Sequence, residues 1–166
     1  AMASAADAQH QIVLGSFRAT GQGNNTFTFG KSGAQVTNQF DSNANFSQSS
    51  DERLKTNIKD NDLGLDFIND LKTKTYNWLP SNEVPKELTS HYDEKNTKNT
   101  DVKMYGMLAQ EVKAAMDKHG NSEFTGWMEN SDGSQNVSRE MFIIPLIKAV
   151  QELTKKVEEL EARCNG

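Results

Sequence analysis

The pattern of apolar and polar positions changes near residue 50. From Gln11 to Ser50 apolar residues are sparse and fall in short alternating stretches, Ile12-Val13-Leu14 and Thr26-Phe27-Thr28-Phe29. Gly-Gln-Gly-Asn-Asn and Gly-Lys-Ser-Gly interrupt them. Alternation bounded by such residues predicts strands and turns. Strands this short, with so few apolar side chains, cannot close a private core. The segment is either a disordered leader or β-structure completed by neighbouring chains, as in fibrous trimers. The second reading is preferred.

After residue 50 the chain becomes charged and helix-prone. Asp62 is placed to cap a helix that sets Phe67, Ile68 and Leu71 on one face. Lys74-Thr75-Tyr76-Asn77-Trp78 reads as a strand stopped by Pro80. The stretch from about 81 to 103 is polar and predicts a long loop or hairpin arm, an element that usually has a job. A second helix is expected from Tyr105 to Gly120, with Leu108, Val112, Ala115 and Met116 facing inward and Gly120 as C-cap. Residues 121–137, around Phe124, Trp127 and Met128, predict a hairpin.

The strongest periodicity lies at the end. Ile143, Leu146, Val150, Leu153, Val157, Leu160 and Cys164 recur at alternating three- and four-residue steps. This is a heptad seam with Ile143, Val150, Val157 and Cys164 at a and Leu146, Leu153 and Leu160 at d, on a helix of about 139–163. A helix packed inside a monomer would show a similar stripe. Self-association is favoured, because LTKKVEELEARCNG is polar on every face except the seam. Pro145 must then sit in the first turn or mark a kink. β-branched a positions with Leu at d lean towards two strands, so the heptads alone do not establish a trimer.

Composition narrows the possibilities. The net charge of −5 supplies no basic footprint for nucleic acid, and no apolar run is long enough to span a bilayer. Nothing resembles a signal peptide, and the leading AMAS (residues 1–4) is set aside as a vector remnant. A single cysteine excludes an intrachain disulfide framework and a Cys-based metal site. His10, His91 and His119 lack metal-ligand spacing. His91 is expected in solvent, His119 at a helix C-terminus, Tyr76 and Trp78 in the core, and Cys164 as a small seam residue. A soluble, cytoplasmic protein without metal or cofactor is expected.

Chemistry could reside at the compositional boundary, Ser49-Ser50-Asp51-Glu52-Arg53-Leu54-Lys55-Thr56-Asn57-Ile58. A serine and a lysine can do peptide chemistry together: a neutral amine takes the hydroxyl proton and the oxygen attacks a carbonyl. An ordinary lysine keeps its proton to about pH 10.4, so desolvation or a nearby cation, for which Arg53 is a candidate, must favour the neutral form. Residues five apart diverge on a helix and face opposite sides on a strand. The pair meets only if the backbone turns between them or if the partner belongs to another chain.

SDERLKTNI, then a helix, TYNW, YGMLAQEV and a terminal FIIPLIKAVQELTKKVEELE together resemble the endosialidase-type C-terminal intramolecular chaperone. That domain ends phage tailspikes, tail fibres and neck appendages, and occurs in membrane-tethered transcription factors. The resemblance runs from about Ser50 to Arg163, and every fixed position of the family's Ser-Asp-x-Arg-Leu-Lys-x-Asn-Ile opening is present. It implies that Ser50 is the nucleophile, Lys55 the general base and Ser49–Ser50 the scissile bond. Asp51, Arg53 and Asn57 would shape the turn or orient the dyad. Gln110 and Glu111 would support the site, although a first-turn carboxylate favouring the helix dipole accounts for Glu111 equally well. The 81–103 arm would be the protruding element that holds the fibre shaft during folding.

The expected architecture is therefore α+β, a small sheet with helices and a long C-terminal helix that forms a trimeric bundle. Residues 1–49 would be the end of a β-rich viral fibre and 50–166 the chaperone. The homotrimer would template its own upstream shaft in the host bacterial cytoplasm, then release itself by a single cut, leaving the fibre in the virion tail. The alternative is a purely structural trimerisation module that never cuts. The transcription-factor branch fits less well, because the N-terminal strands are of low complexity and no transmembrane helix follows.

Overall fold

The computed structural model describes residues 2–16 and 18–165. They form two compact units, Ala1–Lys59 and Asp60–Gly166. The α+β expectation is borne out, with small sheets and a long C-terminal helix.

The first unit is a four-stranded sheet of β1 (Gln11–Ser16), β2 (Thr26–Lys31), β3 (Ala34–Gln39) and β4 (Asn43–Gln48), in sequence order. The two alternating stretches become β1 and β2. β3 and β4 arise from segments in which the sequence alone gave no separate strand signal. β1 and β2 are parallel and the other pairs antiparallel. The parallel pair approaches so closely at Gly15 that a side chain there would collide with the Gly30 carbonyl and the Ala19 methyl. Register decides what each face carries. Ile12, Phe27, Asn38 and Phe46 form one row, and Leu14, Phe29 and Val36 the next. Phe27, Phe29 and Phe46 pack ring to ring, at centroid distances of 5.4–6.2 Å. This apolar face is open: Ile12, Leu14, Phe29 and Phe46 are all exposed.

The opposite face is polar yet covered. Thr26 and Thr28 are fully buried, as is Ala19. Thr28 shares a hydroxyl hydrogen bond with Thr37 at 3.1 Å, Thr26 Oγ1 donates to the Gly23 carbonyl at 2.8 Å, and Gln35 Nε2 donates to the Thr20 carbonyl at 2.7 Å. The chain between β1 and β2 is thus tied over the threonine side. The unit buries hydroxyls with partners, which costs little, and leaves its hydrocarbon in water.

The second unit has an ordinary core. α1 (Leu65–Asp70) and α2 (Ala109–Lys118) flank two small antiparallel pairs, β5 (Lys74–Tyr76) with β6 (Met104–Gly106) and β7 (Trp127–Glu129) with β8 (Gln135–Val137). Leu63, Phe67, Val112, Ala115, Met116 and Phe142 form the buried cluster. Phe67 stacks on Phe142 at 6.3 Å and meets Phe124 edge-on at 5.6 Å. A 3₁₀ turn, Arg139–Phe142, delivers Phe142 to this cluster and leads into α3 (Ile143–Cys164). Pro145 falls in the first turn of α3, one of the two places open to it, and is buried with Ala149.

Several expectations need correcting. Tyr105 belongs to β6 and not to a helix, because it pairs with Thr75; α2 begins four residues later, and Leu108 precedes it, exposed. The strand predicted to reach Trp78 ends at Tyr76, and Trp78 is 47% exposed instead of buried in a core. Asp62 does not cap α1. That role falls to Glu152 of α3, whose Oε2 accepts from the Leu65 amide at 2.8 Å, while Asp62 accepts from Asn121 Nδ2 at 3.3 Å. A Cβ at Gly64, just before α1, would meet the Glu152 carboxylate, which would have to shift. Gly120 does follow α2 with φ +64, the left-handed conformation that ends a helix, and 127–137 is the expected hairpin. His119 makes a specific contact beyond the helix dipole: its Nε2 lies 2.7 Å from Asp70 Oδ2, and Lys118 Nζ lies 2.7 Å from Asp70 Oδ1. The hydrogen bonds to Lys118, foremost, and to His119 hold the Asp70 carboxyl below its ordinary range.

α3 presents two faces with different fates. Phe142, Pro145 and Ala149 turn towards the core of the unit. The seam, Ile143, Leu146, Val150, Leu153, Val157 and Leu160, lies elsewhere on the helix and is 45–61% exposed within the chain. Cys164 is exposed too. The alternative of a stripe packed inside a monomer therefore fails for these residues. The arm of residues 81–103 carries only one 3₁₀ turn, Ser81–Glu83. It is held by Ser81 to Asn96 and Thr97 and by the Ser90 amide, which donates to Asp132 Oδ2 at 3.1 Å.

Candidate functional site: a serine and a lysine across one turn

The segment after β4 makes a single 3₁₀ turn, Glu52–Leu54, and the hydrogen bonds described below hold it from within the six residues 50–55. Asp51 stands at its N-cap. The carboxylate accepts from the Arg53 amide at 2.9 Å and from the guanidinium at 3.0 Å (Nε) and 2.6 Å (Nη2). The Leu54 amide donates to the Asp51 carbonyl at 3.1 Å and the Lys55 amide to that of Glu52 at 3.0 Å. Arg53's hydrogen bonds hold the Asp51 carboxyl below the usual carboxylate range, and Asp51 in turn raises the guanidinium. Arg53, a candidate for disfavouring the charged form of Lys55, is committed to Asp51.

This turn resolves the spacing problem. Residues five apart diverge on a straight helix or strand, but three residues per turn bring the chain back to the side it entered from. Lys55 leaves in extended conformation, and its flexible stem reaches back along the turn. Its Nζ lies 2.7 Å from Ser50 Oγ, within the same chain. Asn57 follows with φ +54, a left-handed position that asparagine tolerates better than most residues. Serine and lysine are both exposed. At this separation a protonated amine donates to the hydroxyl, and a neutral one can accept its proton.

Beside the pair runs a groove of about 620 Å³ in the same unit, lined by Gln35, Thr37, Ser47, Gln48, Ser49 and Lys55 among others. Its position could not be read from spacing, because it depends on how β3 and β4 pair. Leu54 and Ile58, on either side of Lys55, are 71% and 63% exposed.

Gln110 and Glu111 belong to the second unit, in the first turn of α2. Gln110 is exposed. Glu111 Oε1 lies 3.2 Å from Lys74 Nζ on β5 and 3.9 Å from Lys72, an ion pair that ties strand to helix. Among the described residues no group of three or more His, Cys, Asp or Glu is placed to hold a metal ion. No described helix is long and apolar enough to cross a membrane.

A model of a family named as a peptidase and described as chaperone of endosialidase matches residues 50–121. Over that segment the chain is similar to the endosialidase chaperones. The match opens at Ser50, the residue whose hydroxyl meets Lys55, and ends after α2, so α3 lies beyond it. The recognition made from the motifs is borne out over this range. No curated protein matches the chain.

Proposed function

We propose that the chain is the self-releasing folding chaperone of a viral tail fibre or tailspike, which trimerises, templates its own upstream shaft and then cuts the Ser49–Ser50 bond. The observation that carries this reading is the 2.7 Å approach of Lys55 Nζ to Ser50 Oγ at the first residue of the family match.

The chemistry needs no bound substrate. Neutral Lys55 takes the Ser50 hydroxyl proton while Oγ attacks the Ser49 carbonyl carbon. The Ser49–Ser50 C–N bond breaks, and the ammonium returns the proton to the leaving Ser50 amine. Ser49 is then an ester on Ser50 Oγ. A water molecule, with Lys55 again taking a proton, hydrolyses that ester, leaving a Ser49 carboxylate and a free Ser50. Because nucleophile and target are neighbours in one chain, proximity can supply effective molarities of roughly 10⁵ M or more. Asp51 and Arg53 act as positioning residues that hold the turn.

Two open surfaces support association of like chains. The α3 seam is apolar and exposed in the single chain, and so is the phenylalanine face of the first unit. Both are the kind of surface that copies of a fibre would cover for one another. A template that sets register and then departs leaves the shaft kinetically trapped. On this reading, assembly occurs in the host bacterial cytoplasm, the fibre part goes to the virion tail and the chaperone is released.

The test is the intact mass of freshly expressed wild type beside Ser50→Ala, with native size measured in parallel. The expectation is a fragment beginning at Ser50 from wild type and a full-length trimer from the variant. Cutting of Ser50→Ala at the same bond would sink the dyad. A wild type that trimerises and stays whole would be the non-cleaving trimerisation module instead.

A further inference from the structure

β8 is an edge strand, with β7 on one side and no strand on the other. The Ser138 amide donates to the Gly126 carbonyl and the Asn130 amide to that of Ser134, so alternate residues of β8 turn their backbone groups to β7. Antiparallel geometry points those of Gln135 and Val137 the other way. Residues 133–137 also line a groove of about 790 Å³ within the second unit. Hydrocarbon in its walls comes from Trp78, Leu79 and Leu108, all exposed, and from Val84, Pro85 and Leu88 of the arm.

Charge in the groove has one sign. Lys98 and Arg139 line it, with the His91 imidazole, and no Asp or Glu does so among the described residues. Lys98 Nζ lies 5.2 Å from the centre of the Trp78 ring, which keeps the ammonium against the apolar wall. Neither Lys98 nor Arg139 forms an ion pair with a described residue. The Asp132 carboxylate, just before the lining segment, is already taken by Ser134 and Ser90.

We propose that this groove docks an extended acidic peptide of another polypeptide, which adds a strand to β8. The free strand edge selects an extended backbone, as in other cases of strand addition. The unpaired cations select carboxylates. Side chains of a strand alternate, so one peptide can offer hydrocarbon to Trp78 and Leu108 and carboxylates to Lys98 and Arg139. The chain's own segments fit less well. Between Gln11 and Ser50 the one carboxylate is Asp41, and the Glu-rich end of α3 is helical, with its backbone bonded internally.

The full-length chain, carrying Ser50→Ala so that no cut intervenes, is titrated with a fluorescent peptide that alternates Glu with Val. Counterparts replace every Glu by Gln or by Lys, and two further Glu peptides carry methyl groups on the backbone nitrogens of every Val or of every Glu. Anisotropy reports binding and amide exchange reports its place. The Glu peptide is expected to bind roughly fivefold more tightly than the Gln peptide, the scale of a few exposed ion pairs, with the Lys peptide weakest and added salt narrowing the differences. One methylated peptide should lose binding and the other keep it, since only one edge of an added strand bonds to β8. Protection should rise at Gln135 and Val137. Lys98→Gln with Arg139→Gln should erase the preference for Glu while circular dichroism stays unchanged.

No binding at about 1 mM peptide, equal binding of the Glu and Gln peptides, or indifference to both methylations overturns the proposal. So does protection that falls on α3 or the first unit instead of β8. Gln135 and Val137 amides already protected without peptide, and freed on dilution, would mean that a second copy covers the edge, which overturns it as well.

Discussion

Lys55 Nζ and Ser50 Oγ lie 2.7 Å apart across a 3₁₀ turn that Asp51 caps and its pairing with Arg53 holds. The turn is small, exposed and held by side chains of its own, so its occupancy in solution depends on those few bonds. That makes the site unusually open to test by substitutions that leave both cores alone.

Asp51→Ala removes the cap and the guanidinium's partner together. Cleavage is expected to slow by roughly threefold to thirtyfold, the scale set by losing a capping side chain, with unchanged thermal unfolding of the second unit. Asp51→Asn keeps an acceptor for the Arg53 amide and should recover most of the rate; Arg53→Ala should fall between them, since an exposed ion pair contributes little. Single-turnover rates of the purified full-length variants, after a pH jump or release from denaturant, would show the order. Equal rates in all three would mean that the turn is held by something else.

Glu152 and Gly64 form a second testable pair, linking the long helix to the chaperone body. Glu152→Ala strips the acceptor from the Leu65 amide and should cost about 1 kcal/mol, as loss of a helix cap does. For a unit of this size that is a fall of roughly 4–8 °C in Tm. Glu152→Gln keeps an acceptor oxygen and should fall less. Gly64→Ala should resemble Glu152→Ala, because the new methyl displaces the same carboxylate. Calorimetry of the three, with the double substitution as a cycle, checks the assignment: the effects of Gly64→Ala and Glu152→Ala should not add.

Asp132 anchors the arm, and its protonation should release it. Its carboxylate accepts from the Ser134 hydroxyl at 2.6 Å, the Ser134 amide at 3.0 Å and the Ser90 amide at 3.1 Å. These bonds, Ser134's first, pull its carboxyl far below the ordinary aspartate value. A folded value below the unfolded one means that the stabilisation is complete above about pH 3.9 and fades as pH falls further. Amide exchange around Ser90 should thus be unchanged from pH 7 down to about pH 4.5, once intrinsic exchange is allowed for, and faster below pH 3.5. Asp132→Asn should show the fast arm at every pH, with the α2 amides unaffected. An arm equally protected in that variant would mean that the tether is elsewhere.

Much of this protein is local, and the local part was legible. The family signature, the strands β1 and β2, the cap at Gly120, the hairpin of 127–137 and the heptads of α3 all depend on residues within a few positions of one another. Short-range periodicity and turn chemistry record such relationships directly. The need for a turn between Ser50 and Lys55 followed from spacing alone. That one chain makes the turn by itself did not, because the sequence equally allowed a partner from another copy.

What tertiary structure decided was long-range. Tyr105 is a strand residue because Thr75, thirty positions earlier, pairs with it. Leu65 is capped from Glu152, across 87 positions. Whether the phenylalanines of β2 and β4 share a face, and whether that face is open, is settled by register, where a slip of one residue would turn each of them over. The exposed seam of α3 is of the same kind. The heptads defined the stripe, but only the packing of Phe142, Pro145 and Ala149 fixed which side of the helix the chain keeps for itself. A periodic sequence specifies an amphipathic surface; the contacts that cover it, or leave it bare, come from residues too distant along the chain for any local pattern to encode.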